Sequence, residues 1–132
     1  MASVTAKTFI DALWHLEGTG EAGPIAGLFT PGATVSNPLV KHAGQEPDGA
    51  MKFWQAYRSA FGQIRSEFKQ VLEGEGSAML EWSSRGDVAG AEVEYGGVSV
   101  LEIGDDGITA FRTYFDPQRL GEQLASHARA SP

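Results

Sequence analysis

Residues 66–115 read SEFKQVLEGEGSAMLEWSSRGDVAGAEVEYGGVSVLEIGDDGITAFRTYF, and this half of the chain decides the architecture. After Ser66, apolar and polar residues alternate with a period of two through Phe68 to Leu72, Ala78 to Val88, Glu92 to Ile103 and Ile108 to Phe115. That is the spacing at which successive side chains fall on opposite faces of a strand. The segments between them, Glu73 to Ser77, Ala89 to Ala91 and Gly104-Asp105-Asp106-Gly107, are short and rich in turn residues. Consecutive strands are therefore expected to pair as antiparallel neighbours in a meander. Alternation also assigns faces: Ala78, Leu80, Trp82 and Ser84 point one way, and Met79, Glu81, Ser83, Arg85 and Asp87 the other. On the next strand Tyr95, Gly97, Ser99 and Leu101 share a face, and on the last Thr109, Phe111, Thr113 and Phe115 do. Gly96 and Gly97 at mid-strand predict a bend that curves the sheet.

Upstream the period changes. From Val4 to Glu17, Phe9, Leu13 and Leu16 recur at helical spacing with Ile10 and Trp14 alongside, which predicts an amphipathic first helix. Gly18, Gly20, Gly23 and Pro24 end it, and Ile25 to Phe29 reads as one further turn before Pro31 and Gly32. Thr34 to Ser36 predicts a short strand stopped by Asn37-Pro38. A loop from Lys41 to Asp48 leads to a second helix, with Asp48 as its cap and Met51, Trp54, Tyr57, Phe61 and Ile64 on one face, widened by Phe53. Asp116-Pro117 opens a short C-terminal helix with Leu120 and Leu124 inward. Helices first and a curved antiparallel sheet afterwards define an α+β domain.

The 132 residues are enough for one domain with a real core and too few for two, so residues 1–132 are read as a single unit. Apolar residues make up 42% and charged residues 20%, the balance of an ordinary globular chain. A formal charge of −7, from 10 Lys and Arg against 17 Asp and Glu, has the wrong sign for holding a phosphate backbone. Nucleic acid is not an expected partner. No apolar run reaches the ~18 residues of a membrane span, and the N-terminus shows no export signal. A chain without cysteine forms no disulfide and no thiolate metal site, and its three histidines are scattered. The expectations are a cytoplasmic protein with no membrane partner, no metal and no cofactor.

A curved sheet closed by helices encloses a conical cavity, the usual setting of a small-molecule site. Arg85 and Asp87 share a strand face about 7 Å apart, close enough for a guanidinium to fix a carboxylate. Arg85 is the only cation between Lys69 and Arg112, in a segment full of acids, so it is expected to have an assigned partner. The opposing reading makes this pair a structural ion pair on a polar face. His42, in the loop after Asn37, is read either as a group over the cavity mouth or as a solvated histidine. His15 is paired with Asp11 on the exposed side of the first helix, and His127 with the end of the last.

The Leu28-Phe29 phrase, the strand ending Ser36-Asn37-Pro38, the Arg85-Gly86-Asp87-Val88 strand and above all Gly107 to Pro117 (GITAFRTYFDP) resemble the SnoaL-like branch of the nuclear transport factor 2-like superfamily. The resemblance covers nearly the whole chain and implies a cone-shaped α+β roll, a homodimer formed through the sheet, and a hydrophobic small-molecule substrate. Its members include polyketide cyclases, ketosteroid isomerases, dehydratases and limonene-type epoxide hydrolases as well as non-enzymatic proteins, so the fold leaves the reaction open. Within the epoxide hydrolase pattern, Arg85 and Asp87 match the arginine and acid, and Asn37 the water-binding asparagine. Val35 stands where a tyrosine is expected and Thr113 where the basic aspartate is, and a threonine hydroxyl takes no proton from water near neutral pH. The resemblance then implies a cofactor-free acid–base enzyme of isomerase or cyclase type, with Asp87 as proton shuttle and Arg85 as its partner. Asn37, Thr113, Tyr95, Phe111, His42 and Trp54 are the expected substrate-binding residues. The alternatives are an epoxide hydrolase with a substituted base and a non-enzymatic ligand-binding protein.

Overall fold

The structure, a computed structural model, describes residues 4–42 and 48–130, with the side chains of 42 and 127–130 left out. Helix α1 (Ala6–Thr19) is capped by the Thr5 side chain, which accepts the Thr8 N–H at 3.2 Å. It ends at Gly20, whose left-handed φ of 82° lets its N–H bond back to Leu16. A single turn, α2 (Gly23–Ala26), starts at Pro24, whose missing N–H costs nothing there. The strand β1 (Phe29–Ser36) begins earlier than its apolar pattern foretold: Pro31 and Gly32 sit at a break in register against its neighbour, so they interrupt the ladder without ending it. The two-residue strand β2 (Lys41–His42) pairs antiparallel with β1, His42 opposite Val35.

Helix α3 (Gly49–Ser59) follows. Asp48 stands at its N-cap position without a side-chain capping bond and pairs instead with Lys52 at 3.5 Å, which corrects the expected cap. The helix is also shorter than its apolar repeat: Phe61 lies in the turn beyond it, and Ile64 opens β3 (Ile64–Gly74). Then come β4 (Ser77–Val88), β5 (Ala91–Gly104) and β6 (Gly107–Phe115), the expected meander. The β4–β5 hairpin turns on Ala89 and Gly90, with φ of 51° and 86°, the pair of positive angles a tight two-residue turn requires. Helix α4 (Pro117–Ala130) closes the chain, its first turn capped by Asp116, which accepts the Gln118 N–H at 2.9 Å.

Among the described residues six strands form one sheet in the order β2-β1-β6-β5-β4-β3, antiparallel except where β1 runs parallel beside β6. Its curvature has a local cause at Gly97. Gly97 lies opposite Trp82, and a Cβ there would strike the Trp82 ring and the Tyr114 carbonyl. The indole therefore lies against bare backbone, and β5 bends over it. Where β5 runs past the end of β6, Gln123 of α4 completes its edge, donating to the Glu94 carbonyl at 2.7 Å and accepting its N–H at 2.8 Å.

Helices α1 and α3 cover the concave side, where Phe9, Leu13, Leu16, Phe53, Trp54, Leu80, Leu101 and Phe111 are buried in one core. The alternation of β4 resolves accordingly. Ala78, Leu80, Trp82 and Ser84 face inward, and Met79, Glu81 and Arg85 are exposed on the convex side.

Candidate functional site

Inside the cone lies a cavity of about 250 Å³. Its wall is mostly hydrocarbon: Phe9 and Leu13 from α1, Phe53, Trp54 and Tyr57 from α3, Phe61, and the inward faces of the strands, including Phe68, Trp82, Phe111 and Phe115. Trp54 is the hub of the aromatic contacts, with edge-on neighbours in Phe9, Phe53, Tyr57 and Phe111 at centroid separations of 5.0–5.9 Å. Leu39 and Val40, both exposed, line it with Leu120 and mark the rim.

The polar groups of the wall fall into small sets. Ser99 accepts the Trp82 indole N–H at 3.0 Å and donates to the Thr113 hydroxyl at 2.9 Å. Asn37 turns its amide oxygen to the N–H groups of Leu39 and Val40, both at 2.8 Å, and so shapes the rim. The third set gathers behind the wall around Glu17, a carboxyl only 5% exposed. Glu17 Oε1 accepts the Ser66 N–H at 3.0 Å, and Oε2 accepts the Ser66 hydroxyl at 2.6 Å and the Tyr57 hydroxyl at 2.7 Å. The Ser66 Oγ is in turn 2.6 Å from the Ser84 Oγ. Tyr57, Ser66 and Ser84 all line the cavity. One donor is left over: the buried Nε1–H of Trp54 has no hydrogen-bond partner among the described residues.

Burial pushes the Glu17 carboxyl above its ordinary range of about 4.5, although the Ser66 and Tyr57 hydrogen bonds and the charge of Arg65 pull the other way. Burial, and then the charge of Glu17, push Tyr57 well above the usual phenol range and raise Tyr95 likewise. Both phenols are therefore neutral hydrogen-bond donors near neutral pH and not bases.

The structure corrects the central sequence expectation. Arg85 and Asp87 do not pair and do not enter the hollow. Arg85 is exposed on the convex side, where its Nη2 meets Glu94, directly opposite on β5, at 2.8 Å. Asp87 accepts the Gln63 N–H at 2.8 Å and the Gly90 N–H at 3.4 Å, tying the α3–β3 connection to the β4–β5 turn. The physical reason is the pleat itself: once Trp82 and Leu80 claim the core, every odd-numbered residue of β4 must face away from it. Trp54, Tyr95, Phe111, Asn37 and Thr113 do line the cavity. His42 has its backbone in β2, and its side chain, like that of His127, lies outside the described residues. His15 meets Glu21 at 3.5 Å, while Asp11 pairs with Lys7.

Sequence reasoning passed over Glu17. Its signal was positional, since Glu17 follows Phe9 and Leu13 at steps of four on the apolar stripe of α1. A carboxylate there must be buried and therefore satisfied.

A curved sheet wrapped around an apolar cavity and closed by two helices is the cone of the nuclear transport factor 2-like proteins. Residues 6–111 match the SnoaL-like domain model, and the chain belongs to that family. No curated protein matches its sequence significantly. Among solved structures it is similar to a protein of Catenulispora acidiphila with a ketosteroid isomerase-like fold, solved with trimethylamine (TM-score 0.78, 13% identity, covering 97% of this chain and 100% of that one). It is also similar to a nuclear transport factor 2-like protein of Anabaena variabilis (0.77, 18%, 87% and 89%) and to an LEH-like epoxide hydrolase of M. tuberculosis (0.69, 14%, 92% and 90%). At these identities the likeness is one of fold. Among the described residues no helix is long and apolar enough to cross a membrane, and no group of acids and histidines is placed to hold a metal.

Proposed function

We propose that this protein binds a compact hydrophobic molecule carrying a few oxygen atoms and moves a proton on it without a cofactor, as an isomerase or cyclase of polyketide type. The observation that bears most weight is the Trp54 N–H, without a partner among the described residues, in a wall made mostly of hydrocarbon. An orphaned buried donor costs about 1–3 kcal/mol, a cost that a ligand oxygen accepting the bond recovers. The neutral hydroxyl of Tyr95 adds a donor to the same wall, the kind of lining that favours negative charge growing on an oxygen, as in an enolate, while the Tyr57 hydroxyl is committed to Glu17. The reading no longer involves Asp87 or Arg85. The proton has one path among the described groups: through the hydroxyls of Ser84 and Ser66 to the Glu17 carboxylate. Hydration of an epoxide fits less well, because it needs a separate acid and base, and Thr113, committed to Ser99, offers no base.

β-Tetralone, a small bicyclic ketone that enolises, is a suitable probe. Its binding should move the indole N–H resonance of Trp54 downfield, which naphthalene should not do, and the protein should speed exchange of its α-hydrogens for solvent deuterium. Binding without exchange would leave a ligand carrier and remove the enzyme. A Trp54 resonance indifferent to the ketone would remove the oxygen site.

A further inference from the structure

The set around Glu17 has a property that follows from counting hydrogens. A carboxylate only accepts, so with Glu17 ionised the hydroxyls of Ser66 and Tyr57 must both donate to it. The single hydrogen of Ser66 is then spent, and the 2.6 Å contact between the two serines requires Ser84 to donate to Ser66. Ser84 is left with lone pairs only for the cavity it lines. With Glu17 protonated on Oε2, that proton can go to the Ser66 oxygen while Tyr57 still donates to Oε2. Ser66 then donates to Ser84, and the Ser84 hydrogen is released toward the cavity. No heavy atom moves in this reversal.

We infer that Ser84 is a specificity-determining residue whose role toward the ligand is set by Glu17: it accepts from a ligand hydroxyl when Glu17 is ionised and donates to a ligand carbonyl when Glu17 is protonated. Glu17 is a positioning residue here, since it stands behind the wall and acts through Ser66. The inference deepens the ligand-binding reading above and rests on it. The charged and titratable groups that act on Glu17 are Tyr57 of α3, Arg65 of β3 and Tyr95 of β5, and the two phenols stay neutral over the range in which a carboxyl titrates. A hydroxyl ligand is thus preferred on the alkaline side of the Glu17 titration and a ketone on the acid side.

The test compares two probes of matched size, β-naphthol as donor and β-tetralone as acceptor, titrated into the full-length protein over the acid to neutral range in which β-naphthol is itself un-ionised. In the wild type the ratio of naphthol to tetralone affinity should rise with pH by roughly five- to tenfold, the worth of one neutral hydrogen bond. Glu17→Gln, whose amide donates to Ser66 as the protonated acid does, should hold the low ratio at every pH. Ser84→Ala should bind both probes with a ratio that no longer changes with pH, and this variant decides the matter alone if Glu17→Gln does not fold. Both probes bound by the wild type at a flat ratio would overturn the inference and spare the ligand reading. So would a pH-dependent ratio that survives in Ser84→Ala. Neither probe bound would overturn the ligand reading and this inference with it.

Discussion

At the scale of single residues, the same side-chain type has opposite meanings on the two faces of the sheet. The exposed Arg85–Glu94 pair is screened and costs side-chain entropy to hold, so Arg85→Ala should shift stability by no more than about 1 kcal/mol in urea titrations. Asp87 accepts two backbone N–H groups, and Asp87→Ala should cost ~1 kcal/mol while leaving β-tetralone affinity unchanged. A loss of affinity in that variant would return Asp87 to the site. Trp54→Phe makes the opposite trade. It removes a buried donor without a partner among the described residues, which offsets part of the packing lost by trimming the indole. Folding stability should therefore fall by less than the ~3 kcal/mol of a full truncation while ketone affinity falls about fivefold, measured by denaturation and by titration of the same preparation.

At the scale of elements, strand pairing over backbone without side chains sets the curvature. Gly97→Val drives a branched side chain into the Trp82 ring and the Tyr114 carbonyl, and should destabilise the fold by ~3 kcal/mol or more. Gly121, inside α4, has open space around it, so Gly121→Ala should stabilise by about 0.5–1 kcal/mol. The contrast, read from urea midpoints, separates a glycine required by close approach from one that is only tolerated. The strands were also where the sequence was most legible. Period two over Ala78 to Val88 placed every residue on the right face relative to its neighbours, and the inward set on β5 was correctly grouped. On β6 Phe111, Thr113 and Phe115 do line the cavity, but Thr109, grouped with them, is exposed, and Ile108 is buried instead, where the ladder with β5 shifts register. What went astray was which face of β4 looks inward. The apolar set Ala78, Leu80 and Trp82 answers that question on burial alone, and the family resemblance of the Arg-Gly-Asp phrase pointed the other way.

At the scale of the molecule, the cone couples stability to pH through one group. Burial raises the Glu17 carboxyl in the folded state above its unfolded value of about 4.5, so the folded state holds that proton more tightly. The stabilisation from this linkage is fully present below the unfolded value and is lost as pH rises through the raised folded value. Melting temperature, measured as the difference between wild type and Glu17→Gln across this window, should therefore turn against the wild type as pH increases. A difference independent of pH would mean that Glu17 titrates in the fold as it does in the unfolded chain.

Local pattern alone determined the order of helices and strands and the meander with its short turns, because each is set by spacing along the chain and by which residues tolerate a bend; the family was legible only through the resemblance of its motifs. It could not decide the parallel pairing of β1 with β6, which joins strands far apart in sequence. Nor could it gather Glu17, Tyr57, Ser66 and Ser84, which come from α1, α3, β3 and β4, into one hydrogen-bonded set. Those groups meet only after the helices close the sheet. The need to satisfy a buried carboxyl is then met by whichever hydroxyls the packing has brought within reach.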